Sequence, residues 1–327
     1  MVAKKWKNLL QSSSDVMKYV GLQSQIWRNN SNSIILLILF PLVLFAMVWL
    51  FIFLLGKQHQ GFTLDAANYE FFRVLPWVAF GVLLWFLIAY FSHSSMIMSA
   101  TGSKPLERIE NKRVYNLVEN LCITAGIQTP RIFVIEDDSL NAFASGINQK
   151  TFSISLSRGI IEKLNDEELE GVIAHELTHI RNRDVRLLII SIIFVGIFAF
   201  LSQMLFRTMI FGGGRSRGKD NKGVVLIIGL LLAVIGYLIT ILCRFALSRK
   251  REYMADAGGA ELTKNPLALA SALRKVSQDS RIEAVTRKDV AQMFIENPQE
   301  EEKTNAFATL FATHPPIEKR IRLLEQF

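Results

Sequence analysis

The residues best suited to chemistry lie in Glu170-Gly171-Val172-Ile173-Ala174-His175-Glu176-Leu177-Thr178-His179-Ile180, where a single HExxH sets two histidines four apart. On a helix, positions four apart stack on one face, so both imidazoles can converge on one ion with Glu176 beside them. That donor set suits a catalytic zinc, which asks for three protein ligands, an open position for water, and a carboxylate to take the water's proton. Glu176 is that base on this reading. The alternative, a helix whose histidines merely cap a buried face, fits the flanks less well. Asn165-Asp166-Glu167-Glu168 carries a helix-start signal in which Asn165 caps and Glu168 reaches back. Leu169, Val172, Ile173, Leu177 and Ile180 then supply the apolar stripe of a core helix.

A third donor must come from elsewhere. His59 and His93 lie upstream beside or within apolar stretches, and His314 lies near the C-terminus. The better candidate is in Ser248-Arg249-Lys250-Arg251-Glu252-Tyr253-Met254-Ala255-Asp256, where Glu252 and Asp256 are again four apart. One carboxylate can bind the metal while the other orients a ligand imidazole through its free N–H.

His175-Glu176-Leu177-Thr178-His179 followed by Asn182-Arg183-Asp184, then Arg251 to Asp256, and a late Thr313-His314-Pro315-Pro316, together resemble the HtpX-type membrane metalloproteases, bacterial relatives of the CAAX prenyl endopeptidases. Asn141-Ala142-Phe143-Ala144-Ser145-Gly146 is similar to the segment that family carries before its catalytic helix, and the resemblance covers roughly residues 75–327. It implies that Glu252 is the third zinc ligand, that Asp256 orients a ligand histidine, and that the activity is zinc-dependent endoproteolysis of membrane proteins in quality control, with one zinc per chain. It also favours a structural role for Asp184, which could pair with Arg251 to hold the two motif helices together.

The elements that must position these groups are strongly apolar. Half of the 327 residues are hydrophobic, and the net charge is +8. The basic residues cluster beside apolar spans without a nucleic-acid motif, so anionic lipid headgroups are the expected partner and nucleic acid is not. Two cysteines, Cys122 and Cys243, are too few for a disulfide framework. Ile34–Leu55, Val74–Phe91, Leu187–Phe206 and Val224–Cys243 are each 18 to 22 residues and long enough to span a bilayer. Their apolar cores hold no ionisable group, which argues against a transporter, and His93 reads as interfacial. Lys and Arg counts place the N-terminus and the chain after Phe91 in the cytoplasm. Arg207, Arg215, Arg217, Lys219 and Lys222 conflict with a full hairpin for the last two spans. Those spans separate the second and third donors, so either topology keeps the donors on one side and close to the membrane surface.

In the soluble part, Pro105 to Gly126 reads as an amphipathic helix with Leu106, Ile109, Val114, Leu117, Val118 and Leu121 buried. Arg131–Glu136 and Thr151–Leu156 read as strands, the second strictly alternating. Asn141, Ala142 and Phe143 open the candidate sheet edge for an extended substrate. Pro266–Ser280 reads as a helix, Asn297–Thr304 as a polar loop, and Ile317–Gln326 as a last basic helix. His314 is either a helix-start residue or an oxyanion-stabilising group near zinc, with Arg320 as a candidate helper although six residues is poor spacing for one helical face.

The expected architecture is a mainly α integral membrane protein with about four transmembrane helices and a zincin-like α+β metalloprotease domain with a small sheet. Residues 1–33 form a cytoplasmic segment, 34–98 two spans with a short external loop, 99–186 the first part of the protease domain, 187–247 a hydrophobic hairpin, and 248–327 the second part. Such a chain belongs in a bacterial inner membrane, multi-pass, with a cytoplasmic protease domain and membrane-protein substrates. The rival readings are a CAAX-type prenyl-protein peptidase, disfavoured because that family uses many more spans, and a non-catalytic scaffold whose structural zinc takes His314 as fourth ligand.

Overall fold

The computed structural model describes residues 22–57, 61–211, 231, 234–236, 249–282, 293–295 and 314–326. Two long helices come first, α1 (Leu22–Gly56) and α2 (Leu64–Thr101). Both are long and apolar enough to cross a membrane, and only 11% and 6% of their most apolar windows are buried, which is unlike the core helix of a soluble protein. Trp77, Phe80 and Phe91 lie exposed on α2, a surface suited to lipid rather than water. Helix α1 starts well before Ile34, so a boundary at residue 33 falls inside it.

A mixed α+β region follows. Strand β1 (Ser103–Pro105), helix α3 (Lys112–Ala125), β2 (Arg131–Ile135), β3 (Ala142–Ser145) and β4 (Ser153–Ser157) lead into short α4 (Arg158–Lys163). The sheet order is β1-β2-β4-β3, with β2 and β4 parallel and both outer pairs antiparallel. Helices α5 (Asp166–Arg181) and α6 (Asp184–Phe211) come next, then α7 (Arg249–Thr263), α8 (Pro266–Val276) and α9 (Ile317–Leu324). Helix α6 runs from this region back to the apolar helices, where Phe194 stacks on Phe40 of α1 with centroids 4.2 Å apart. The run 224–243, the loop before it, His59 and Asn297–Thr304 lie wholly or almost wholly outside the described residues. Among the described residues the helices able to cross a membrane are thus α1 and α2, two rather than the four expected.

Several expectations need correction. The helix expected from Pro105 starts at Lys112, because Asn111 caps it through Val114 N–H and Pro105 ends a strand instead. Ile109 is therefore outside the helix and 81% exposed. The alternation in β4 suggested one solvent face, yet all five of its residues are buried, because small serines let both faces be covered. His93 is buried within the protein, its Nδ1 paired with the carbonyl of Tyr90. It lines an apolar cavity shared with Ile189 and Ile193 of α6.

The capping box at Asn165 and Glu168 forms as the sequence requires. Glu168 also takes Lys275 Nζ at 2.6 Å and Ser271 Oγ at 2.7 Å, which fastens the start of α5 to α8. The apolar stripe Leu169, Val172, Ile173, Leu177 and Ile180 is buried throughout. Close packing of α5 on α7 depends on Gly258 and Gly259. A Cβ on Gly259 would come within 3.1 Å of His175 N, and one on Gly258 within 2.5 Å of Thr178 Cγ2. Larger residues there would push the two donor-bearing helices apart.

Candidate active site

Helix periodicity brings His175 and His179 to one face of α5, with ring centroids 4.8 Å apart. Helix α7 supplies Glu252 opposite them. Glu252 Oε2 is 3.6 Å from His175 Nε2, and Glu252 Oε1 is 3.6 Å from His179 Nε2. One atom from each of the three side chains lies within 4.8 Å of the others. Two ligands at about 2.0–2.1 Å from a tetrahedral zinc sit roughly 3.3–3.5 Å apart, so the two Glu252–histidine spacings of 3.6 Å fit with little adjustment. His175 Nε2 and Glu252 Oε2 are also buried without a hydrogen-bond partner, which an ion between them would supply.

Each imidazole has an aspartate behind it. His175 Nδ1 lies 3.0 Å from Asp256 Oδ1, and His179 Nδ1 pairs with Asp184 Oδ2 at 3.1 Å. Such partners fix the tautomer that leaves Nε2 free for metal. Asp256 is gripped in turn by Arg320, whose Nε and Nη2 donate to its two oxygens at 2.9 and 2.8 Å. Arg320 is fully buried and also donates Nη1 to the Ile295 carbonyl. This corrects the oxyanion expectation for Arg320, since its fork is committed to Asp256. Asp184 is 3.8 Å from Arg251 Nη1, so the expected helix-to-helix pairing forms. What sequence reasoning missed is that Asp184 also meets His179 and a buried Asn29 on α1. The only signal was the polar pair Asn29-Asn30 just ahead of an apolar run.

The electrostatics favour a cation. Burial would raise the Glu252 carboxyl, but His179 above all, with His175, outweighs it and holds Glu252 well below the usual carboxylate range. Burial would lower His179, yet Glu252 and Asp184 raise it well above its ordinary value. The field that draws protons to the histidines is the same field that draws a metal ion. Asp256 would also be raised by burial, but Arg320 brings it down to about 2. Glu176 is 2% exposed and moves the other way, raised chiefly by burial despite the nearby imidazoles. A carboxyl shifted upward is better placed to accept and return a proton near neutral pH.

His314 joins the same cavity as His175, Glu176, His179 and Glu252. Its Nε2 is 4.0 Å from Glu252 Oε1, and burial lowers its pKa to about 4, leaving it neutral. It precedes α9 on the Pro315-Pro316 turn, so helical spacing to Arg320 does not govern its position.

Strand β3 forms the end of the sheet nearest this cavity, and Ala144 backs Glu176. Its first residues are already engaged by the chain. Asn141 Nδ2 donates to the Ser280 carbonyl, the Ala142 carbonyl accepts from Ile295 N–H at 2.8 Å, and Phe143 bridges Phe294. Ala144 is the strand residue that lines the cavity.

The description of Peptidase family M48 matches residues 108–327. A protein described as a protease HtpX homolog from Bacteroides fragilis (strain YCH46) is 59% identical over 322 residues, covering 95% of this chain and 100% of that one. A second protease HtpX homolog, from Thermoanaerobacter pseudethanolicus (strain ATCC 33223 / 39E), is 35% identical over 301 residues, covering 91% and 95%. Among solved structures, the S. mikatae Ste24p crystal structure aligns at TM-score 0.48 and 18% identity over 92% of this chain and 66% of that one. Carrying the family description over most of its length and sharing full-length similarity with HtpX-described proteases, the chain belongs to peptidase family M48 and is a membrane metalloprotease.

Proposed function

We propose that this metalloprotease is a zinc endopeptidase that cleaves membrane proteins, damaged or misfolded ones among them, close to the cytoplasmic face of a bacterial inner membrane. The observation that carries the chemistry is the convergence of His175, His179 and Glu252 around one point beside Glu176. His175, His179 and Glu252 would hold one zinc per chain. When bound, the ion would supply Lewis acidity to a water and to the scissile carbonyl. Glu176 accepts the water's proton and returns it to the leaving amine, a task its burial-raised pKa suits. His314 lines the same cavity, and we assign its N–H to the developing oxyanion. Asp256 and Asp184 hold the two imidazoles in orientation.

For the substrate, we propose an extended segment added along β3 from Ala144. Asn141 and Ala142 steady that edge through their own contacts, and Phe143 packs its ring on Phe294 with centroids 4.8 Å apart. The proximity of the site to α1, through Asn29 and Asp184, and to α6, whose Val185 and Leu188 line the cavity, supports substrates in or near the bilayer, and the Lys and Arg distribution supports a cytoplasmic face. A structural-zinc scaffold would need a fourth protein donor. Among the described residues, the metal-competent group holds three and does not include His314.

The test is cleavage by full-length, detergent-purified protein, wild type beside Glu176→Gln, with zinc measured on both. Both should bind about one zinc, and the variant should lose at least about 10²-fold in turnover. Equal turnover would refute the role of Glu176. With the protein in vesicles, a membrane-inserted substrate should be cut in preference to the same segment in solution, and no preference would refute the substrate assignment.

A further inference from the structure

Asn29 sits on α1, near the start of an apolar helix, yet it is only 4% exposed and both donors of its carboxamide are used on one distant turn. Its Nδ2 donates to Asp184 Oδ1 at 2.7 Å and to the Asn182 carbonyl at 2.8 Å. These two acceptors flank Arg183, whose φ of 63° is in the left-handed region. A non-glycine residue there costs about 1–2 kcal/mol, so the turn needs outside contacts to hold it. The turn matters because Asp184 uses its other oxygen, Oδ2, on His179 Nδ1 at 3.1 Å. A membrane helix is therefore joined to a metal-donor imidazole through one carboxylate.

We infer that Asn29 is a positioning residue for the metal centre: it fixes the 182–184 turn so that Asp184 orients His179. The inference rests on the assignment of His175, His179 and Glu252 as zinc ligands. It makes α1 part of the active site's support as well as an apolar helix, through the one contact of Asn29 with the 182–184 turn rather than through the packing of α1 at large. Neighbouring contacts show that the helix is built to dock there. Ser33 Oγ donates back to the Asn29 carbonyl at 2.8 Å, and Arg186 Nη1 reaches Asn30 Oδ1 at 3.4 Å.

The experiment is a zinc-affinity measurement by chelator competition on the full-length protein in detergent. It compares wild type, Asn29→Ala, Asp184→Ala, the double variant, Asn30→Ala as the same-helix control, and His179→Ala. Partners behind a metal ligand are worth about 10–100-fold in affinity. Asn29→Ala, one contact further out, should weaken zinc about threefold to tenfold, below that range. Asn30→Ala should leave it within about twofold, because its contact bypasses Asp184. The decisive comparison is the double variant: once Asp184 is alanine, removing the Asn29 carboxamide should weaken zinc no further. Unchanged affinity in Asn29→Ala would overturn the inference, and so would an equal loss in the Asp184→Ala background, which is what general destabilisation produces. If His179→Ala binds zinc as well as wild type, the ligand assignment itself fails, a result separate from either.

Discussion

The two histidines of the motif are alike in sequence and unlike in support. His175 is backed by Asp256, from a helix far along the chain, and that aspartate is clamped by the fully buried fork of Arg320. His179 is backed by Asp184, five residues on, and that aspartate is held by a neutral carboxamide on a membrane helix with Arg251 at 3.8 Å. The first arm is a charged relay enclosed in the protease domain. The second depends on a junction between domain and membrane helices. One imidazole is therefore fixed by the fold of the domain, and the other is exposed to whatever shifts α1.

The largest expected effect comes from breaking the first arm. Arg320→Met would leave the Asp256 carboxylate buried without its fork, and removal of one partner from a buried pair costs about 3–5 kcal/mol. Thermal unfolding of the zinc-free protein in detergent should show a clear loss of stability together with poor zinc uptake. An unchanged melting temperature would mean that the Arg320 clamp is not what stabilises this arm.

Next in size are the aspartates themselves. Asp256→Asn and Asp184→Asn keep shape and remove charge, and each should lower zinc affinity about 10–100-fold. If the enclosed arm is the stiffer one, Asp256→Asn should also slow turnover more. Chelator competition and steady-state rates measured side by side would decide that order.

The smallest effect is on acid stability. Asp256 falls from its ordinary 3.8 to about 2 in the folded protein. Its contribution is whole above the unfolded value and is lost as pH drops through about 2. In Asp256→Asn the acid limb of the stability curve between about pH 4 and 2 should be shallower, as followed by near-UV circular dichroism of the zinc-free protein. An identical limb would assign acid unfolding to other carboxylates.

Much of the site could be read from the chain because its parts are local. The cap at Asn165, the apolar stripe of α5, and the pairs His175/His179 and Glu252/Asp256 each lie within a turn or two of one helix. Arg320 was misread for the opposite reason. Its partner is 64 positions away, and no spacing rule within α9 could reveal it. The start of α3 was misplaced because Leu106 and Ile109 continue the apolar pattern, while the competing side-chain cap at Asn111 and the pairing of Ser103–Pro105 with β2 decide the boundary. Asn29 went unnoticed because a polar residue ahead of an apolar run looks like an ordinary membrane-edge residue.

By itself the sequence determined the donor types, their four-residue spacing, the base between them, and the apolar helices that go with them, since a helix of 3.6 residues per turn converts spacing into a face. Only the tertiary structure decided which aspartate backs which histidine, that Arg320 serves Asp256, that Phe294 and Ile295 pair with the start of β3, and that α1 reaches the site through Asn29. Those contacts join elements distant in the chain, and their partners are set by how the elements pack, which local periodicity does not encode.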